Sequence, residues 1–220
     1  MIVVIDGPAG SGKSSTAKAV AQKLKIQYLD SGALYRAATL IYNKCNQDRD
    51  KFFDTLNEVN ISFKYSDAFF SVFVNDENIS TQIRAQEVNN AVSIVAAMPE
   101  VRAYVNALMH EAVEHDHYIA DGRDLGTAVF PKARLKFFMI ADLEVRAQRR
   151  LKEMDDQNIS LEEIRENIAS RDAIDSSRDS DPLKKAPDAI EIDTTSFTFE
   201  EQVEFICAHI RPHLETAPKQ

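Results

Sequence analysis

The sequence predicts an α/β fold: a parallel β-sheet covered on both faces by helices, with a small antiparallel sheet inserted. Three observations carry this. Strand-length apolar runs alternate with helix-period segments along most of the 220 residues. The first strand opens directly into Gly7-x-x-x-x-Gly12-Lys13-Ser14 and a helix, the order a phosphate-binding loop requires. Between Asn60 and Ser80 apolar and polar residues alternate in short β-rich runs bounded by turn signals, as in antiparallel hairpins.

Taken in order, Ile2 to Ile5 is a buried strand ending at Asp6, and Ala17, Val20, Ala21 and Leu24 share one face of the first helix. Gln27-Tyr28-Leu29 is a second strand, ended by Asp30-Ser31-Gly32. Ala33 to Lys44 then reads as a helix with Tyr35 and Arg36 in its first turns. Phe53, Leu56 and Val59 suggest a short helix. In the inserted sheet, Ile61, Phe63 and Tyr65 alternate with polar residues, Tyr65-Ser66-Asp67 reads as a hairpin turn, Phe69 to Val74 is the next strand, and Ile79 opens a third. Helical pattern returns near Thr81 with Val88, Val92 and Val95 on one face. Pro99 opens a helix with Val101, Val105, Leu108, Met109 and Ala112 inward.

Tyr118-Ile119-Ala120 is a strand running into Asp121-Gly122-Arg123-Asp124, and Leu135 to Ala141 is another. A helix over 142–154 places Leu143, Ala147, Leu151 and Met154 inward and Arg146, Arg149 and Arg150 elsewhere. Asp155 to Asn158 is a polar stretch. Ser160 with Glu163, and Thr198 with Glu201, are capping boxes opening two further helices, the second with Phe199, Val203, Ile206 and Ile210 inward. Ala189 to Ile192 is the last strand, and the tail from Thr216 is expected to fray.

Composition narrows the function classes. A hydrophobic fraction of 44% is ordinary for a globular chain, and 220 residues suffice for one domain with an insertion. The formal net charge of −9 argues against an electrostatic nucleic-acid surface. Cys45 and Cys207 form no CxxC or zinc spacing, as in a reducing compartment. His115-Asp116-His117 reads as a polar helix end rather than a metal site, because no third ligand is near in sequence. No apolar run approaches the roughly 20 residues of a membrane span. The first strand begins at Met1, leaving no room for a signal peptide, so a soluble cytoplasmic protein is expected.

The phosphate loop carries the firmest chemistry. Gly7, Gly10 and Gly12 can adopt backbone angles closed to other residues and let the main chain approach a phosphate. Its N–H groups, with those of Pro8-Ala9-Gly10-Ser11 and the helix start at Lys13-Ser14-Ser15, form an anion cradle; proline alone contributes no N–H. Lys13 supplies an ammonium to the β- and γ-phosphates and Ser14 a hydroxyl to Mg²⁺. Asp121, at a strand end, can hold Mg²⁺ or its waters, and Arg123 can fork onto phosphate. In the run 171–181, Arg171, Asp175 and Arg178 would share a helix face, read either as a solvated charged helix or as cationic fingers over transferring phosphates. Arg36, Arg84 and Arg102 sit near segments flanking the cleft. A GTP-type base motif is missing: Asn43-Lys44-Cys45-Asn46 lacks the final aspartate.

These residues add up to a resemblance. Asp6-Gly-Pro-Ala-Gly-Ser-Gly-Lys-Ser14, Leu29-Asp-Ser-Gly-Ala-Leu-Tyr-Arg36, Ile83-Arg-Ala-Gln-Glu-Val88, Asp121-Gly-Arg-Asp-Leu-Gly-Thr-Ala-Val-Phe-Pro131 and Arg171-Asp-Ala-Ile-Asp-Ser-Ser-Arg178 resemble, in order and spacing, the bacterial cytidylate kinases. The match runs from Ile2 to about Thr195, with Ala128 and Ala141 as mild variants. The resemblance implies a P-loop nucleoside triphosphate hydrolase-type core over 1–34 and 105–220. It also implies a CMP-binding domain over 35–104 with its antiparallel insertion near 60–80, and a lid at roughly 150–165 beside 171–181. It implies γ-phosphoryl transfer from ATP to CMP or dCMP with Mg²⁺, by a monomer with no nucleic-acid or membrane partner. It implies that Ser31, Ser93, Arg102 and Asp124 meet the cytosine side. Asp175 would meet the ribose, and Arg36, Arg123, Arg171 and Arg178 the phosphates, while Arg84 matches an acceptor-domain position. Catalysis would rest on Lys13, Arg123, Arg171 and Arg178, and metal binding on Ser14 and, through water, Asp121. A kinase acting on UMP, AMP or a metabolite such as shikimate, and a non-catalytic nucleotide sensor, are the rival readings.

Overall fold

A computed structural model describes residues 1–66, 69–114, 116–152 and 159–215. Five strands form one parallel sheet around the most apolar of them, β1 (Ile2–Asp6). β6 (Tyr118–Gly122) and β7 (Leu135–Ile140) flank it, with β2 (Gln27–Asp30) and β8 (Ile190–Asp193) outermost, in the order β2-β6-β1-β7-β8. Every neighbouring pair is parallel. The register sets Asp6 opposite Gly122 and Asp30 opposite Asp121, so the polar strand ends gather along one edge. That edge, outside the carboxyl ends of the strands, is where ligands bind in sheets of this kind.

The sheet needs cover on both faces because successive side chains of a strand point opposite ways. Val3 and Ile5 pack with Ile119 and Met139 against α1 (Lys13–Leu24) and α8 (Phe199–Glu215), through Ala17, Val20, Ile206 and Ile210. Val4, with Leu29 and Ala120, faces α2 (Ser31–Lys44), α4 (Gln86–Ala96) and α5 (Pro99–Ala112), through Leu34, Ala38, Val92, Val95, Val105 and Met109. Ala128 and the rest of Leu125–Val129 form a single wide helical turn after β6. α6 (Leu143–Lys152) and α7 (Leu161–Ser177) build a third, small cluster in which Ala9 packs with Ala147, Ile164 and Ile168.

The inserted sheet is antiparallel as expected: β3 (Ile61–Ser66), β4 (Phe69–Val74) and β5 (Glu77–Asn78). Ile61 and Val72, with Ile79 beyond β5, join the α2 core. α3 (Arg49–Glu58) joins it too. No helix among the described residues is long and apolar enough to cross a membrane.

Several expectations need correction. Tyr65 and Ser66 are not a turn; they continue β3, paired with Phe70 and Phe69. Of the expected hairpin turn, Asp67 lies outside the described residues. The third strand ends at Asn78, and Ile79 is buried just past it. In α3, Phe52 rather than Phe53 is fully buried, one position round the helix. Phe199 stays 46% exposed because it opens α8, ahead of the turns that lie on the sheet. The Asp142–Met154 helix is seen as Leu143–Lys152, and Met154 and the polar Asp155–Asn158 stretch lie outside the described residues. His115 and the tail 216–220 lie outside them as well. Both capping boxes form: Ser160 with Glu163, and Thr198 with Glu201.

Candidate active site

The phosphate loop is fixed first by steric fit. Gly7 has φ 151°, and a β-carbon there would lie 2.0 Å from the Met139 carbonyl oxygen, so no side chain fits. Ser11 Oγ donates to the Pro8 carbonyl at 3.1 Å, and Thr194 Oγ1 donates to the Ser11 carbonyl at 3.3 Å. Lys13 is buried, with its ammonium donating to the Pro8 carbonyl at 2.7 Å and to Ser11 Oγ at 3.4 Å. Burial, then the neighbouring Arg123 charge, pull its pKa well below the usual lysine range. A lysine strained in this way gains from any anion that enters. Asp6 accepts from the Leu125 and Gly126 N–H groups at 2.9 and 2.7 Å, tying the loop's root to the turn after β6. Burial raises Asp6 to about 6 despite those bonds.

At the loop's other end, Ser14 Oγ donates to Asp121 Oδ2 at 2.6 Å, and the Tyr28 hydroxyl donates to Asp121 Oδ1 at 2.7 Å. Burial, then Asp30 nearby, push the Asp121 carboxyl up. A hydroxyl and a carboxylate meeting at the root of a phosphate loop are hard oxygen donors that fit Mg²⁺. Among the described residues no group of three or more His, Cys, Asp or Glu side chains could hold a metal.

Facing the loop across a cavity of about 930 Å³ is a cluster of opposed charges. Asp124 accepts from Arg178 Nη2 at 2.7 Å and from Arg102 Nη2. Arg102 Nε donates to Asp181 at 3.0 Å, and Arg178 Nε donates to the Asp181 carbonyl at 2.9 Å. Asp181 takes φ 48°, a left-handed conformation. Arg123 Nε donates to Asp175 Oδ2 at 2.8 Å. Arg36 Nη1 donates to Asn89 Oδ1 at 2.6 Å, and burial, then Arg171 nearby, lower Arg36 to about 9. Burial, then Arg123, lower Arg171 to about 10, and its buried Nε has no hydrogen-bond partner. Lys13, Arg36, Arg123, Arg171 and Arg178 all reach this cavity. Crowded, half-satisfied cations of this kind are a site prepared for a polyanion.

Of the residues singled out from sequence, Ala9, Gly10, Gly12, Ser14, Ser15, Ser31, Ser93, Asp121, Asp124 and Asp175 also line it. Ser31 is anchored by its hydroxyl donating to the Asp121 carbonyl at 2.6 Å. Gly7, Pro8, Ser11 and Arg102 are not on the wall; Arg102 is 2% exposed and meets the cavity through Asp124. Arg84 lines it and lies 3.7 Å from Asp30, which caps α2 at Ala33. The expected helix face of Arg171, Asp175 and Arg178 holds only in part. α7 ends at Ser177, and Arg178 is its extended C-cap, so backbone direction rather than helical period aims it at Asp124.

Sequence reasoning missed Tyr28, Arg146, Asp172 and Asp181. Arg146 was placed off the inward face of α6, yet it is buried: Nε donates to the Ala141 carbonyl at 3.0 Å and Nη1 to the Ala9 carbonyl at 2.8 Å. Its position three residues after Leu143 and one before Ala147, inside the apolar stripe, was the available signal.

The comparisons with known proteins agree with this geometry. Residues 3–212 match the cytidylate kinase family. A cytidylate kinase of Listeria welshimeri is 44% identical over 204 residues, 90% of this chain and 91% of that one. A cytidylate kinase of Clostridium botulinum is 42% identical over 214 residues, 95% of this chain and 97% of that one. Among solved structures, TT1252 from Thermus thermophilus has a TM-score of 0.50 at 17% identity, covering 97% of both chains, a likeness of fold. With the sheet, the loop and nearly the full length in agreement, this chain belongs to the cytidylate kinase family.

Proposed function

We propose that the protein transfers the γ-phosphoryl group of ATP to CMP or dCMP, giving CDP or dCDP and ADP, as a monomer. One observation carries this reading: half-buried Arg171, whose Nε is buried without a partner, shares a cavity with Lys13 and Arg123 between a phosphate loop and the charge-balanced Arg102–Asp124–Arg178–Asp181 cluster. The cations call for phosphates. The balanced cluster suits an uncharged base read through hydrogen bonds, which a wrong base would leave unpaired.

In this reading ATP lies with its β- and γ-phosphates on residues 7–15. The acceptor enters the side formed by residues 35–104, with Ser31, Ser93, Arg102 and Asp124 toward the base and Asp175 toward the ribose. An oxygen of the acceptor phosphate attacks the γ-phosphorus in line. That bond forms as the bond from γ-phosphorus to the β,γ-bridging oxygen breaks, and ADP leaves with the electron pair. The attacking phosphate is already ionised, so no strong general base is required. The work is positioning and charge neutralisation. Lys13, Arg123, Arg171 and Arg178 neutralise the transferring group, and Arg36 holds the acceptor phosphate. Mg²⁺, held by Ser14 and through water by Asp121, would draw charge from the β- and γ-phosphates. A short lid, expected at roughly 150–165, would exclude water; its residues 153–158 lie outside the described residues.

ADP release with ATP and Mg²⁺, across CMP, dCMP, UMP, AMP and GMP in parallel, tests this. Turnover mainly on CMP and dCMP is expected. Turnover on another nucleotide would overturn the base-side assignments. Silence on all five with ATP still bound would overturn the kinase reading in favour of another acceptor or a sensor.

A further inference from the structure

Two charged side chains grip the phosphate loop from outside the cavity. Asp172 Oδ1 accepts from the Ala9 N–H at 2.8 Å. Arg146 Nη1 donates to the Ala9 carbonyl at 2.8 Å and to Asp172 Oδ2. Both main-chain polar groups of Ala9 are therefore held by one ion pair, with Asp172 on α7 and Arg146 on α6. Packing reinforces the grip. Ala9 is 3% exposed in the cluster formed by Ala147, Ile164 and Ile168. A β-carbon on Gly10 would lie 3.3 Å from Arg146 Cβ and 3.5 Å from Ile168 Cδ1, so the loop's tip sits in the notch between the two helices. Arg146 is further pinned to the end of β7 through the Ala141 carbonyl.

The placement has a cost that explains the pairing. A carboxylate beside an anion-binding loop repels phosphates unless a cation neutralises it. Asp172 also follows directly on Arg171, whose guanidinium enters the cavity from the same helix. We propose that Arg146 and Asp172 are a positioning pair. Asp172 locks α7, and with it Arg171, to the phosphate loop at Ala9, and Arg146 both completes the lock and cancels the Asp172 charge toward ATP. Neither residue touches the reacting atoms.

This rests on the phosphoryl-transfer reading, and wild-type turnover on CMP is the control that separates failure of that reading from failure of this one. The test compares Arg146→Gln, the near-isosteric Asp172→Asn and the double variant. It measures ATP dissociation constants by calorimetry with Mg²⁺ and no acceptor, kcat and KM for CMP, and melting temperature. The two single variants should move ATP binding differently. Arg146→Gln leaves a bare carboxylate and should weaken ATP about fivefold or more. Asp172→Asn should leave ATP binding within about twofold or tighten it, and the double variant should recover it. Both singles should lower kcat at least about tenfold, with the CMP KM held within about threefold. Equal weakening of ATP by both singles would overturn the proposal, and so would wild-type kcat in Asp172→Asn despite a lowered melting temperature. If Arg146→Gln does not fold, kcat in Asp172→Asn alone decides.

Discussion

At residues 7–14 the groups expected to hold a phosphate are main-chain N–H groups, apart from that of Ala9, which Asp172 holds. They are placed by backbone angles at three glycines, by the Gly7 contact with Met139 and by the start of α1. Around Asp124 the groups are side-chain charges, and they converge from separate segments: Arg102 from α5, Asp124 from the end of β6, and Arg178 and Asp181 from beyond α7. The first region is continuous in sequence and needs little tertiary help; the second exists only when the whole fold is assembled. The difference says where damage should appear. Change in the loop should cost chemistry more than stability, and change at the cluster should cost both.

The largest effect belongs to the loop. Lys13→Ala should lower kcat by about 10²–10³-fold or more, because it removes a donor aimed at charge that develops on transfer. Its hydrogen-bond partners are a carbonyl and a hydroxyl, and the buried Asp6 and Asp121 carboxyls that lose its charge are already pushed up and can take a proton instead, so the melting temperature should hold within a few degrees. A near-normal kcat would remove the assigned role; a collapsed melting curve would break the contrast between the regions.

Asp124→Ala should do the reverse in proportion. It strips the carboxylate from two guanidiniums, each about 4% exposed or less, leaving buried charges uncompensated. Loss of one partner of such a group costs roughly 3–5 kcal/mol, or about 6–20 °C in a chain of this size. The CMP KM should rise with it. Denaturant titration beside steady-state kinetics decides: a fully stable variant with a raised KM would mean Asp181 alone can hold both arginines.

The same contrast governed what could be read in advance. The loop, its strand and its helix were legible because glycine spacing and apolar period are local signals. So were the five core strands and both capping boxes. The Arg102–Asp124–Arg178 convergence carries no local signal; the resemblance set Arg102 and Asp124 together at the cytosine side but gave Arg178 to the phosphates. Arg146 was misplaced because an arginine in an apolar stripe looks like an interruption until the Ala9 and Ala141 carbonyls are seen beside it. Tyr28 reads as strand core, and it is core; its ring packs edge-to-face with Tyr65 and Phe70, centroids 5.7 and 5.8 Å away, and the meeting of its hydroxyl with Asp121 follows from sheet order. Asp181 lay inside a charged run whose spacing favoured a solvated helix face.

Asp6 joins the two regions, and it offers a pH test. Burial raises its carboxyl from 3.8 to about 6. The folded state therefore holds the proton more tightly than the unfolded one. The stabilising contribution is complete below about pH 3.8 and is lost as pH rises through about 6. Asp6→Asn removes that dependence while forfeiting charge-assisted acceptance from Leu125 and Gly126. Between pH 5 and 8 the melting temperature of the variant should gain on the wild type by about 2–4 °C, the equivalent of about 1 kcal/mol. A constant gap across that range would show that the two N–H bonds hold Asp6 ionised throughout.

The finest test concerns Asp175, where both regions meet. Its carboxylate was expected at the ribose, and the structure shows it accepting from Arg123 Nε at 2.8 Å. The two roles are separable by substrate. If Asp175 meets the 2′-hydroxyl, Asp175→Ala should reduce kcat/KM for CMP several-fold more than for dCMP, since a hydrogen bond to a charged group contributes about 1.5–3 kcal/mol at most. If it acts by aiming Arg123 at the transferring phosphate, the losses should be equal for the two nucleotides and fall on kcat. Unequal losses would place ribose recognition on the same helix as Arg171. Equal losses would make Asp175, like Asp172 one turn before it, a device for holding a guanidinium in place.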